Sequence, residues 1–168
     1  MASFSDPVRA WFSASFPEPT DAQAQAWPAI AAGEHTLLCA PTGSGKTLAA
    51  FLWALDDLGS RQAPDADGSA KAGTRVVYVS PLRALAVDVD KNLRGPLRGI
   101  SLAAQRLGVS YREPTIGVRT GDSSSQERRR LVRDPPDILI TTPESLYLML
   151  TSQARETLLG VERIIVDE

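Results

Sequence analysis

The residues Ala40-Pro-Thr-Gly-Ser-Gly-Lys-Thr47 have the types and spacing to hold a triphosphate. Gly43 and Gly45 can adopt backbone conformations that other residues avoid, which lets a loop curl its amide N–H groups inward around an anion. Lys46 can reach the β and γ phosphates, and the Thr47 hydroxyl can ligate Mg²⁺. Such a loop needs a buried strand leading in and a helix leading out, because the helix N-terminus then adds its own donors and dipole to the site. The flanks supply both patterns: Thr36-Leu-Leu-Cys-Ala40 before the loop, and Leu48, Phe51, Leu52, Leu55 and Leu58 at helical spacing after it. Alanine at position 40 replaces the usual first glycine. Thr42, Gly43, Ser44, Gly45, Lys46 and Thr47 are therefore the candidate nucleotide-binding residues.

Triphosphate chemistry also needs carboxylates, one to hold Mg²⁺ and one to orient or deprotonate the attacking water. Asp167 and Glu168 follow Ile164-Ile-Val166 at the carboxyl end of an expected strand, the edge at which ligands bind in parallel sheets. Asp167 is the metal candidate and Glu168 the water-activating one, beside Lys46 as the third catalytic candidate. Taken alone, such a pair is also an ordinary solvated strand end.

The elements that must position these groups follow from short apolar runs. Thr36–Ala40, Val76–Val79, Ile138–Ile140 and Ile164–Val166 are too short for helices and too continuous for half-exposed strands, so they are expected to be buried parallel strands, with Thr115–Val118 a fifth. Leu82, Leu85, Ala86, Val89 and Leu93 repeat at helical spacing. Strand and helix in alternation predict an α/β fold, a parallel sheet with helices on both faces. Thr20-Asp-Ala-Gln23 has the capping-box pattern, and Thr142-Pro143 is an expected N-cap followed by proline. Residues 59–74 lack any apolar side chain larger than alanine and are expected to form a mobile surface insertion. Trp11, Trp27 and Trp53 are expected in helix packing, and His35 and Cys39 in structural roles.

The 168 residues fit one domain, and no apolar run is long enough to cross a membrane. One cysteine and no secretory signal fit a reducing cytoplasm. The formal net charge of −2 argues against a simple electrostatic nucleic-acid binder. Its distribution argues otherwise, because residues 1–70 carry −5, residues 71–133 carry +8 and residues 134–168 carry −5. A basic middle between acidic flanks suits one surface for an anionic partner and another built on carboxylates. Arg128, Arg129, Arg130 and Arg133 fit a solvated helix face better than a base-stacking surface, since no aromatic residue interleaves.

Several stretches in order resemble a superfamily-2 (DEAD/DExH-box) helicase. Residues 40–47 resemble motif I, Ser80-Pro-Leu-Arg-Ala-Leu85 motif Ia, Thr141-Thr-Pro-Glu-Ser145 motif Ib, and Val166-Asp-Glu168 the start of motif II. Phe16-Pro-Glu-Pro-Thr-Asp-Ala-Gln23 is similar to the Q motif. Residues 19–27, 80–88, Arg119-Thr-Gly-Asp122 and 136–146 bring the chain nearest to the Lhr (large helicase-related) group. The resemblance implies the N-terminal part of the first RecA-like ATP-binding lobe, with residues 1–34 as a helical region carrying the Q-like motif. It implies ATP and Mg²⁺ as cofactors and adenine reading by Gln23, whose amide can donate and accept; a capping-box role alone would explain that residue as well. It implies grip on one nucleic-acid strand through Ser80, Pro81, Arg83, Arg119, Thr120, Gly121, Thr141, Thr142, Pro143 and Glu144. Single-stranded or tailed DNA is the favoured partner and RNA an alternative, with a link to DNA repair. A second RecA-like lobe, which in the family supplies transition-state arginines, would lie beyond motif II. Residues 1–168 alone are then expected to bind ATP weakly and to turn over little. Competing expectations are a P-loop NTPase or kinase of another class and a non-catalytic nucleic-acid-binding module. The guanine-reading Asn-Lys-x-Asp motif of a GTPase is absent.

Overall fold

A computed structural model describes residues 1, 3–61 and 73–167. The elements run α1 (Asp6–Ser15), α2 (Asp21–Ala31), α3 (Lys46–Ser60), β1 (Val76–Val79), α4 (Arg83–Leu107), β2 (Ile116–Arg119), α5 (Ser125–Arg133), β3 (Ile138–Thr141), α6 (Pro143–Leu150), a 3₁₀ helix (Gln153–Leu158) and β4 (Arg163–Val166). Residues Met1–Gln62 with Gly95–Glu113 form one compact unit, and Ala63–Arg94 with Pro114–Glu168 form another.

The first unit is held by aromatic packing. Phe4 meets Trp27 edge-on at 5.0 Å between ring centroids, Phe12 meets Trp27 at 5.5 Å, and Phe4 meets Trp53 at 5.5 Å. Such offset and edge contacts add to the area these rings remove from water. The Trp27 indole N–H donates to the Ala49 carbonyl at 3.2 Å, which fastens α2 to α3 and satisfies a buried donor. At the C-terminal end of α3, Gly59 lies so close to Tyr111 that a Cβ there would come within 2.0 Å of the ring. The phenol donates to the Leu55 carbonyl at 3.1 Å.

The second unit contains a four-stranded sheet, all parallel, in the order β2-β3-β1-β4. Parallel neighbours cannot be joined by tight turns. Here α4 links β1 to β2, α5 links β2 to β3, and α6 with the 3₁₀ helix links β3 to β4. Every residue of β1 and β3 is buried, as their unbroken apolar runs require. Leu139, Met149 and Ala154 form a small core, with Leu158 against it.

Four expectations are corrected. Thr36–Ala40 forms no strand, and its Leu37 is 90% exposed. The run states which environment its side chains favour, but its backbone takes no part in the sheet's ladder. β4 does form, yet it lies at an edge of the sheet, and Ile164 and Val166 are 64% and 70% exposed. His35 and Cys39 are both exposed and neither is packed in a structural role. Within the insertion expected over 59–74, residues 62–72 lie outside the described residues. Gly59 and Ser60 close α3 and Thr74 is buried, so neither end of that range behaves as a surface insertion. No helix among the described residues is long and apolar enough to cross a membrane.

Two measurements test the packing at Tyr111. Gly59→Val should lower the unfolding free energy by about 1–3 kcal/mol, the usual cost of overpacking, in a denaturant titration. Burial, and then the Asp56 charge, push the Tyr111 phenol well above its ordinary pKa. The folded state therefore keeps this proton after the unfolded chain has lost it. Stability is intact below about pH 10 and falls as pH rises beyond it. Tyr111→Phe should flatten that alkaline decline.

Candidate nucleotide and nucleic-acid site

The candidate phosphate loop joins segment 36–40 to α3. Gly43 and Gly45 both have φ of 82°, the left-handed region that favours glycine. Gly45 is the N-cap of α3, so the loop delivers its amides directly to a helix N-terminus. Lys46 folds back along the loop: its ammonium donates to the carbonyls of Ala40 at 2.6 Å and Pro41 at 3.0 Å, leaving one N–H. The Ser44 hydroxyl oxygen is buried without a hydrogen-bond partner. Thr42 and Thr47 are exposed.

Helix α2 holds this loop in place. Thr20 and Gln23 form the complete capping box, in which the Thr20 amide donates to Gln23 Oε1 at 3.1 Å and the Gln23 amide donates to Thr20 Oγ1 at 3.3 Å. Both residues then reach across to the loop. Thr20 Oγ1 donates to the Ser44 carbonyl at 2.8 Å, and Gln23 Nε2 donates to the Gly45 carbonyl at 3.3 Å. A Cβ on Gly45 would come within 2.4 Å of Gln23 Nε2, a close approach that glycine allows. Gln23 is only 4% exposed. Its amide retains one N–H and one lone pair beyond these bonds. The contact between α2 and the loop is a role for Gln23 that the sequence patterns leave out.

The parallel register brings the ends of all four strands to one edge. Val79 pairs with Thr141 and with Val166, and Arg119 pairs with Thr141, so Ser80, Thr120, Thr142 and Asp167 follow at the same level. Asp167 is half-buried. Its amide donates to the Val79 carbonyl at 3.0 Å, and its Oδ2 accepts from the Tyr78 phenol. Among the described residues Oδ1 has no partner. A carboxylate with one oxygen anchored and one open at a strand end is a fitting donor for a hard, oxygen-seeking cation such as Mg²⁺. The unpartnered Ser44 hydroxyl and the left-handed glycines likewise fit a phosphate group. Glu168 lies outside the described residues.

The expected nucleic-acid contacts divide by exposure. Ser80, Arg119, Thr120, Thr141 and Thr142 are buried. The Ser80 hydroxyl donates to the Leu82 carbonyl at 3.2 Å and the Thr141 hydroxyl to the Arg119 carbonyl at 2.8 Å, so both brace strand ends. Burial, helped by the positive Arg128, lowers the Arg119 pKa, although a guanidinium stays charged. Pro81, Arg83, Gly121, Pro143 and Glu144 are exposed. Arg83 pairs with Asp122 at 2.6 Å, and a Cβ on Gly121 would come within 2.6 Å of the same guanidinium. Arg128 departs from the solvated face expected of it, because its guanidinium donates to the Gly121 carbonyl at 2.9 Å. Arg133 pairs with Asp134 at 2.9 Å. Thr142 caps α6 with proline following, but its side chain makes no capping hydrogen bond.

Comparison with known proteins gives the family of the chain. The family model described as DEAD/DEAH box helicase matches residues 20–168. A Lhr helicase/probable uracil glycosylase of Mycolicibacterium smegmatis is 56% identical over the whole chain, and a Lhr helicase/uracil glycosylase of Escherichia coli is 54% identical over 98% of it. The chain spans 11% of the length of each. An ATP-dependent helicase Lhr-Core protein 2 of Thermococcus barophilus is 45% identical over 97% of the chain, which spans 19% of that protein. Among solved structures, Mycobacterium smegmatis helicase Lhr bound to ssDNA and AMP-PNP superposes with a TM-score of 0.90 at 57% identity, covering 98% of this chain and 20% of that one. DEAD-box helicase Mss116 bound to ssRNA and UDP-BeF has a TM-score of 0.76 at 18% identity over 99% of this chain and 31% of that one, a likeness of fold alone. The chain belongs to the DEAD/DEAH box helicase family, and relatives 54–56% identical to it are named Lhr helicases.

Proposed function

We propose that this chain is the ATP-binding part of an ATP-dependent helicase or translocase that moves along one strand of nucleic acid, with DNA the favoured strand. The observation that carries it is the phosphate loop itself, with two left-handed glycines at the start of α3 and Lys46 folded along it. Support for ATP and single-stranded DNA together comes from the Lhr structure that holds AMP-PNP and ssDNA and is 57% identical. Two relatives carry uracil glycosylase beside helicase in their names, which favours a place in DNA repair and, with it, the cytoplasm.

In this reading the amides of Gly43, Ser44 and Gly45 cradle the phosphates and the Lys46 ammonium exchanges its loop carbonyls for phosphate oxygens. Gln23 offers its remaining N–H and lone pair to the adenine edge. Thr47 and Asp167 would each be a ligand for Mg²⁺, which would offset charge on the phosphate oxygens, and Glu168 would take the proton of the attacking water. On the nucleic-acid side the exposed groups Arg83, Gly121, Pro143 and Glu144, with Pro81, face the strand. The buried Ser80, Arg119, Thr120, Thr141 and Thr142 set the positions of those segments. Residues 1–168 form the front of the first RecA-like lobe, and a second lobe supplies the arginines that stabilise the transferring phosphoryl group.

Four outcomes are expected. In a fluorescent-nucleotide titration the chain should bind Mg·ATP weakly, and Lys46→Ala should weaken that binding at least tenfold. ATP turnover by residues 1–168 should fall short of a polypeptide of the relatives' length by about 10³–10⁵, the worth of an arginine finger. In that longer polypeptide single-stranded DNA should stimulate turnover, whereas a kinase would not respond. Arg83→Ala there should reduce the slope of log affinity for single-stranded DNA against log salt by about 0.7, one phosphate contact. An unchanged slope would remove Arg83 from the contact set.

A further inference from the structure

We infer that Tyr78 is the positioning residue for the metal-holding carboxylate, an inference that rests on the assignment of Asp167 to Mg²⁺. Tyr78 occupies the middle of β1 and is 2% exposed, with Ile165 of β4 as its neighbour in register. A side chain at that level could have been wholly apolar, as its strand neighbours Val76, Val77 and Val79 are. Instead a phenol rises along the sheet and donates its proton to Asp167 Oδ2. The Asp167 backbone amide is tied to the Val79 carbonyl, so β1 grips both the main chain and the side chain of this residue.

The consequence is rotational. An aspartate at a strand end can swing about two torsions, and a solvated one spends much of its time in rotamers that do not face a ligand. Anchoring Oδ2 to a buried phenol leaves Oδ1 as the oxygen to face the metal's shell. Groups that orient a metal ligand in this way are typically worth about 10–100-fold in metal affinity. Tyr78 also stands two residues before Ser80, whose amide donates to the Thr141 carbonyl at the strand edge. The hydroxyl that orients Asp167 is thus built into the strand that runs on to Pro81 and Arg83.

The test titrates Mg²⁺ against the chain and a fluorescent ATP analogue, reading the Mg²⁺ midpoint for tight nucleotide binding, with a metal-free series in EDTA. Tyr78→Phe keeps the ring and removes only the hydroxyl. It should raise the Mg²⁺ midpoint about tenfold, while the metal-free affinity moves less than twofold. In an Asp167→Asn background the same substitution should add nothing. An unchanged midpoint in Tyr78→Phe, or an equal shift in the Asp167→Asn background, would overturn the inference. If Tyr78→Phe fails to fold, the tyrosine Raman doublet of the otherwise unaltered chain serves instead: Asp167→Asn should shift it, and no shift would overturn the inference. Wild-type binding that is the same with Mg²⁺ and EDTA removes Asp167 from metal holding and overturns it too. A chain that binds no nucleotide at all overturns the ATP assignment and takes this inference with it, an outcome distinct from a silent Tyr78→Phe.

Discussion

The parallel, in-register pairing of β1 with β3 on one side and β4 on the other is the constraint from which the chemistry of the second unit follows. Val79 sets the level of both neighbours, with Thr141 on one flank and Val166 on the other. Parallel strands of equal register must end together. Residues from four distant parts of the chain, near 80, 120, 142 and 167, therefore arrive at one edge without any long loop to carry them. The side chains of β1 are all buried, so sliding it by one residue would exchange its two faces and lose the alignment on both sides at once.

In the first unit the corresponding constraint is the double use of the α2 N-terminus. Thr20 and Gln23 satisfy the helix's own orphan donors and then hold the carbonyls of Ser44 and Gly45. A phosphate loop made of glycines has little intrinsic preference for one shape. Two hydrogen bonds from a capped helix, and the Lys46 ammonium across Ala40 and Pro41, restrict it.

The loop and cap geometry of the candidate site was legible because it is local. Eight consecutive residues specify the loop, and a cap pattern four residues long specifies where α2 begins. Strands β1 and β3 were legible too, since only a doubly covered strand tolerates an unbroken apolar run. The failures at Thr36–Ala40 and on the exposed face of β4 have one cause: composition states what a segment prefers to touch, while burial depends on what the rest of the described chain brings to it. The bond from Tyr78 to Asp167 joins residues 89 positions apart and follows from strand order, which no local pattern contains. The same holds for Arg128, for which the lack of interleaved aromatics suggested a solvated face and whose guanidinium instead donates to the Gly121 carbonyl. The buried Ser80 and Thr141 hydroxyls show the converse, residues of the right type for phosphate contact that brace the backbone beneath it.

Cys39 is the sequence's single cysteine, is exposed, and immediately precedes Ala40, where the phosphate loop begins. That position makes it a built-in attachment point: a dye or spin label coupled to its thiol would sit at the entrance of the loop, with no competing sulfhydryl to remove first, and its signal would follow the loop's movements.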